Sequence, residues 1–145
     1  QGEINMINQQ ITVETTVAAS VEEVWNAYTT PDDIMQWNFA NDDWRCPRAE
    51  VDLRPGGKQV ARMEAKDGSM GFDFEGTYEE IEPHKSLMLV LDDGRKSRTT
   101  FTGSGGNTHV VTTFDAEAQN PIEMQRDGWQ AILNNFNTYV ESKRG

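Results

Sequence analysis

At 145 residues, 36 % of them apolar, the chain is long enough for one domain whose core needs no staples. A formal charge of −11 argues against a phosphate-backbone partner and against adsorption to anionic lipid, so neither nucleic acid nor a membrane is an expected partner. Cys46 is the single cysteine, which excludes a disulfide framework and a thiolate metal cage and fits a reducing, cytoplasmic setting.

The chain opens with QGEINMINQQ, which lacks the basic patch and apolar core of a signal peptide, and no later run approaches membrane-spanning length. Residues 1–10 read as a tail, 11–141 as a single domain and 142–145 as a second tail. The first element is ITVETTV, where Ile11, Val13, Thr15 and Val17 alternate with polar neighbours and predict a strand. A helix follows at once. Ser20 can cap it, Glu23 stands three residues on to close a capping box, and Val21, Val24, Trp25 and Tyr28 recur at helical spacing. TPDD starts a second, short helix, with Thr30 as cap, Pro31 in the first turn, and Ile34, Met35 and Trp37 along it.

Beyond Trp37 the punctuation changes. Turn signals at RPGGK, KDGS, EPHKS, LDDGRK and TGSGGN separate short runs, which predicts a meander of six antiparallel strands. Pro47 inside WRCPRAEVDL marks an edge or an irregular start. In GFDFEGTY, Phe72, Phe74 and Tyr78 share one face while Asp73, Glu75 and Thr77 share the other. In SRTTFT the phase is open: either Arg98, Thr100 and Thr102 or Ser97, Thr99 and Phe101 face inward. THVVTTF is equally ambiguous, between Val110, Thr112 and Phe114 on one side and Val111 and Thr113 on the other.

The last segment, NPIEMQRDGWQAILNNFNTYVES, predicts a long helix. Its stripe is Ile122, Gln125, Trp129, Ile132, Leu133, Phe136 and Val140. Gly128 sits within it at a cost of about 1 kcal/mol relative to alanine, for which a close backbone approach is the simplest compensation. A sheet wet on one side must cover its apolar face, and only this helix has the length to do it. Phe72, Phe74 and Tyr78 are therefore expected to face Trp129, Leu133, Phe136 and Val140.

Catalytic machinery is thin. His84 lies in a turn and His109 opens the last strand, and neither belongs to an H-E-x-x-H pattern, so no metal and no cofactor are expected. Acid pairs such as Asp32–Asp33 and Glu79–Glu80 consist of adjacent residues whose side chains diverge, and cannot share a substrate. TGSGGN reads as a hairpin loop rather than a phosphate cradle at a helix mouth, and Cys46 has no neighbouring histidine to activate it. If an acid, base or cation does serve chemistry here, His109, Asp73 and Arg98 are the candidates. Arg98 and Thr100, if inward, would anchor a ligand carboxylate or hydroxyl.

Four segments in this order, ITVETTVAASVEEVWNAYTTPDDIMQW, DLRPGGK, FEGTYEEIEPHKSLML and GWQAILNNFNTYV, resemble the family named for the activator of the heat-shock protein 90 ATPase. That family belongs to the START-like, pollen-allergen-like superfamily. The resemblance covers about Ile11 to Glu141 and implies an α+β helix-grip fold, β-α-α followed by six strands and a helix, with a curved antiparallel sheet around the long C-terminal helix. It further implies a sheet–helix cavity for a hydrophobic molecule, with the short second helix across its mouth, and in the namesake a contact with the chaperone.

The expected function is thus a small protein that binds a hydrophobic or amphipathic molecule, as a monomer or homodimer. The alternatives are a chaperone-interaction module and, less expected, a cyclase-like or hydrolase-like enzyme. Trp129 would form one wall with Phe74 and Tyr78 opposite, and Trp37 and Phe39 would form a gate. Trp44, Met63, Phe72 and Leu133 complete the apolar lining, with Arg98 and Thr100 as polar anchors. Room for the guest is expected beside Gly76, with Met63 and Met88 able to plug it.

Overall fold

The computed structural model describes residues 9–144, so residues 1–8, including Met6, lie outside the described residues. In chain order the elements are β1 (Gln10–Val17), α1 (Val21–Thr29), α2 (Pro31–Trp37), β2 (Trp44–Val51), β3 (Lys58–Ala65), β4 (Gly71–Glu82), β5 (Ser86–Leu91), β6 (Lys96–Ser104), β7 (Asn107–Asp115) and α3 (Ile122–Arg144). This is the expected α+β order. No helix among the described residues is long and apolar enough to cross a membrane.

Local chemistry accounts for the helix starts. Ser20 Oγ accepts from the Glu23 amide while Glu23 Oε1 accepts from the Ser20 amide at 3.2 Å, completing the capping box predicted for α1. Thr30 precedes Pro31 as predicted, yet its side chain makes no capping bond. The same residue ends α1, its amide donating to Asn26 O, so the chain passes from one helix to the next through a single residue.

The seven strands form one curled antiparallel sheet in the order β1-β7-β6-β5-β4-β3-β2. The hairpins follow the sequence, and β1 closes against β7, so α1 and α2 carry the chain from one sheet edge to the other. Pro47 sits in a register shift between Arg45 and Arg48, where a residue without an amide proton costs no ladder bond. A second shift lies between Tyr78 and Glu80. It changes the phase of β4: Phe74 and Tyr78 face inward before it, and Ile81, opposite Leu87, faces inward after it.

The inner face carries Ile11 and Val13, Phe114 and Val110, Phe101, Leu87, Leu89 and Leu91, and Ala61, all buried. α3 rests along β1 rather than over the middle of the sheet. Gln130 Nε2 donates to Glu14 O at 2.9 Å and Gln130 Oε1 accepts from Glu14 N at 3.3 Å. Asn137 Nδ2 donates to Thr16 O at 3.1 Å, and Glu141 Oε2 accepts from Ala18 N at 3.0 Å. These polar side chains occupy backbone groups that an edge strand leaves unpaired, which both protects the edge and locates the helix. Asn135 Nδ2 ties the other flank, donating to Trp37 O at 3.0 Å.

Three expectations are corrected. Phe72 and Phe74 stand across from Trp129 and Leu133 as expected, but Tyr78 does not join them, and Phe136 packs instead on Tyr28 and Trp37. Gly128 has no close neighbour, since a Cβ there would meet nothing within 4 Å, so its cost is not offset by a backbone approach. Gly76, in contrast, is required by packing. A Cβ on it would lie 2.6 Å from Leu89 Cγ, so the space beside it belongs to Leu89 rather than to a guest.

Candidate functional site

Because α3 leans on β1, a recess of about 210 Å³ remains between its N-terminal half and the β3–β6 side of the sheet. Trp129, Ile132 and Leu133 wall it on the helix side, and Met63, Phe72 and Phe74 wall it opposite. Leu87, Leu89, Ser97, Thr99, Thr112 and Val13 form the floor, while Tyr28, Trp37 and Asn38 close one end. The ring planes are held. Trp129 stacks on Phe114 with centroids 3.8 Å apart, and Phe74 meets it edge-on at 6.1 Å. At the closed end Tyr28 stacks on Trp37 at 5.3 Å, and Trp37 Nε1 is satisfied by Ala27 O at 3.0 Å.

The polar side chains of the lining are neutral: the hydroxyls of Tyr28, Ser97, Thr99 and Thr112 and the amides of Asn38 and Gln59. Tyr28 OH lies 3.3 Å from Thr99 Oγ1, which lies 2.9 Å from Thr112 Oγ1, a short chain of hydroxyls. Burial pushes the Tyr28 phenol up from its ordinary value, and the hydroxyl partners offset this only in part, so it stays protonated. Tyr78, beneath the floor, donates to Gln59 Oε1 at 2.9 Å, and burial pushes its phenol up as well. Ser97 differs from all of these. It is 6 % exposed, yet its hydroxyl has no hydrogen-bond partner among the described residues. The hydroxyl is not sealed off, and it opens on the recess. Among the described residues no carboxylate, histidine, lysine or arginine lines the recess.

Of the residues expected to form the site, Trp37, Met63, Phe72, Phe74, Trp129 and Leu133 are brought together in the lining. Phe39 is turned away, into a shallow groove with Asn134 and Asn135. Trp44 stands at the β2 edge against Phe72, with centroids 6.1 Å apart, and Tyr78 is 1 % exposed beneath the recess, which it reaches only through Gln59. Arg98 and Thr100 require correction. β6 turns Ser97, Thr99 and Phe101 inward, so Arg98 lies on the outer face with its side chain 41 % exposed, bonded to Glu80 at 3.0 Å. Met88, opposite Arg98, shares that outer face and plugs nothing.

Tyr28, Gln59, Ser97, Thr99 and Thr112 were missed as site residues, although a signal existed for the β6 members. Phe101 is the one large apolar residue of SRTTFT, and its burial sets the phase of Ser97 and Thr99. The three candidates for chemistry lie elsewhere. His109 Nε2 meets Glu14 at 2.8 Å on the outer face, and Asp73 pairs with Arg48 at 3.4 Å and Arg62 at 3.6 Å. His84 holds its turn at φ 65° and sets its ring edge-on to Trp25. Cys46 is 3 % exposed, and burial pushes its thiol up, away from the reactive thiolate. Among the described residues no three His, Cys, Asp or Glu side chains stand where they could hold a metal ion.

Residues 18–141 match the family described as activator of Hsp90 ATPase homolog 1-like protein. Among solved structures, the chain is similar to an AHSA1-like protein from Aeromonas hydrophila, at 43 % identity over 94 % of both chains with a TM-score of 0.88. It is also similar to a protein from Cytophaga hutchinsonii, at 45 % identity over 93 % of this chain and 94 % of that one, with a TM-score of 0.79. A protein from Chromobacterium violaceum, 21 % identical over 92 % of this chain and 98 % of that one with a TM-score of 0.80, shares the fold. Among curated proteins none matches the chain.

Proposed function

The chain belongs to the family of activator of Hsp90 ATPase homolog 1-like proteins, and on that footing we propose that it binds a hydrophobic or amphipathic small molecule in the recess between sheet and α3. The observation that carries this reading is the recess itself, about 210 Å³ lined mainly by aromatic and aliphatic side chains. Protein interiors normally close such voids, and each unfilled face forfeits dispersion contacts. A guest recovers those contacts and leaves water, and the few hydroxyls of the floor orient it. The volume also bounds the guest. It equals about seven water volumes, more than the ~150 Å³ that admits a benzene and less than the ~300 Å³ at which drug-sized sites begin. A one- or two-ring molecule fits, whereas a sterol or a long acyl chain does not.

The test is an organic extract of the freshly purified protein, analysed by mass spectrometry, together with Trp129 fluorescence across a panel of small aromatics. A defined co-purifying compound, or saturable quenching by members of the panel, supports the reading. An empty extract with no response to any of the panel defeats it.

Contact with a chaperone is the second reading, favoured by a different observation. Met70 is 62 % exposed at the β3–β4 turn, beside Phe72, which is 46 % exposed where it borders the recess and Trp44, so the two present an apolar tip to solvent. Capture of the cell's own chaperone that survives high salt and is lost in Met70→Ser would support it. Capture that high salt abolishes would reflect only the −11 charge of the chain.

A further inference from the structure

We propose that the guest is uncharged and carries a single hydroxyl or carbonyl group, and that Ser97 is the residue that anchors it. This rests on the recess being a ligand site, and names the chemistry of what enters it. Ser97 stands in the sheet between Leu89 on β5 and Phe114 on β7, neither of which offers a polar side chain. Two residues on, Thr99 points the same way, but its hydroxyl is already shared with Tyr28 and Thr112. Ser97 therefore presents one donor and its acceptor lone pairs to the recess, from a side chain 6 % exposed. A serine placed only to fill the floor would be better replaced by alanine or valine, so the hydroxyl is suited to a partner that arrives with the ligand.

Charge is decided by what the walls lack. The cation nearest in sequence, Arg98, stands on the opposite face of β6 and is paired with Glu80, so a carboxylate in the recess would be buried unpaired. An ammonium group is equally unserved, because among the described residues no carboxylate lines the recess. Phe74 and Trp129 supply aromatic surface, which suits a planar ring.

The experiment compares naphthalene, naphthol and naphthoate, three shapes of nearly equal size, titrated by calorimetry into the full chain, into Ser97→Ala and into Thr100→Ala. Naphthol is expected to bind most tightly and naphthoate at least ~10-fold more weakly than naphthol. Ser97→Ala is expected to weaken naphthol by ~3–10-fold, leave naphthalene unchanged, and leave the melting temperature of the unliganded protein no lower, since the hydroxyl has no internal partner to lose. Thr100→Ala, on the outer face, should alter none of the three. Naphthoate binding as tightly as naphthol, or naphthol and naphthalene weakening equally in Ser97→Ala, would overturn the assignment while leaving the recess a ligand site. Binding by none of the three probes would overturn both.

Discussion

Around Phe136 the rings of Tyr28 and Trp37 lie 5.3 and 4.9 Å away, centre to centre, whereas Trp129, about two turns earlier on the same helix, meets Phe74 only at 6.1 Å and borders the open recess. Both regions draw on aromatic residues and on one helix against one sheet. They differ in what holds the backbones. At the Phe136 end, Asn135 ties α3 to the end of α2, and Tyr28 and Phe101 fill the space below. At the Trp129 end, Gln130 pulls α3 toward the β1 edge, leaving side chains alone to span the distance to β4. Polar anchoring of a helix, not the amount of apolar residue available, decides where a core closes.

The largest expected effect is at the closed end. Phe136→Ala should cost about 3–5 kcal/mol in urea denaturation, since the 0 % exposed ring leaves a cavity that its neighbours cannot fill. Enlargements probe the contrast directly. Ala27→Leu, beneath Trp37, should overpack and cost about 1–3 kcal/mol, while Leu133→Phe, facing the recess, should cost under ~1.5 kcal/mol and abolish binding of naphthol. Equal penalties at the two sites would show that the ends are packed alike and break the comparison.

Smaller changes sharpen it. Asn135→Ala removes the tie to Trp37 O and should cost about 0.5–1.5 kcal/mol, with amide exchange accelerating first in α2. Gly128→Ala should raise stability by about 0.5–1 kcal/mol, because a Cβ there meets nothing. A lower melting temperature would reveal a constraint that the open surroundings do not show.

The smallest effect is that of acid. Glu64 is held below its ordinary value chiefly by the hydrogen bond from Arg62, and Glu117 chiefly by that from Asn120. For a depressed carboxylate the unfolded chain binds protons first as pH falls. The stabilisation is therefore fully present above the unfolded value of about 4.3 and is lost as pH drops through the lower folded value. Urea midpoints measured on either side of pH ~4 should show the decline, and Glu64→Gln should make it shallower.

Much of the fold was legible in the residues because its signals are local. The Ser20–Glu23 box, Pro31 after Thr30, and the alternation in each strand depend on neighbours a few positions apart. Six residues of the recess lining, from Trp37 to Leu133, were legible for a similar reason: large apolar side chains at regular spacing must go inside. The phase of β6 was less legible, because Arg98 and Thr100 and Ser97 and Thr99 are alternative polar pairs, and only Phe101 distinguishes the faces. The shift between Tyr78 and Glu80 had no signal of its own within GFDFEGTYEEI, and it decides that Ile81 rather than Glu80 turns inward.

What the sequence alone determined was the order of elements, the antiparallel sheet and the apolar stripe of α3, all consequences of periodicity and turn chemistry along the chain. What only the tertiary structure decided was where that stripe lands. Gln130, Asn137 and Glu141 read in sequence as ordinary polar helix positions, yet in space they meet the free edge of β1 and draw the helix aside. The recess, with Ser97 on its floor, follows from that offset, because hydrogen bonds between residues more than a hundred positions apart set a distance that no local pattern encodes.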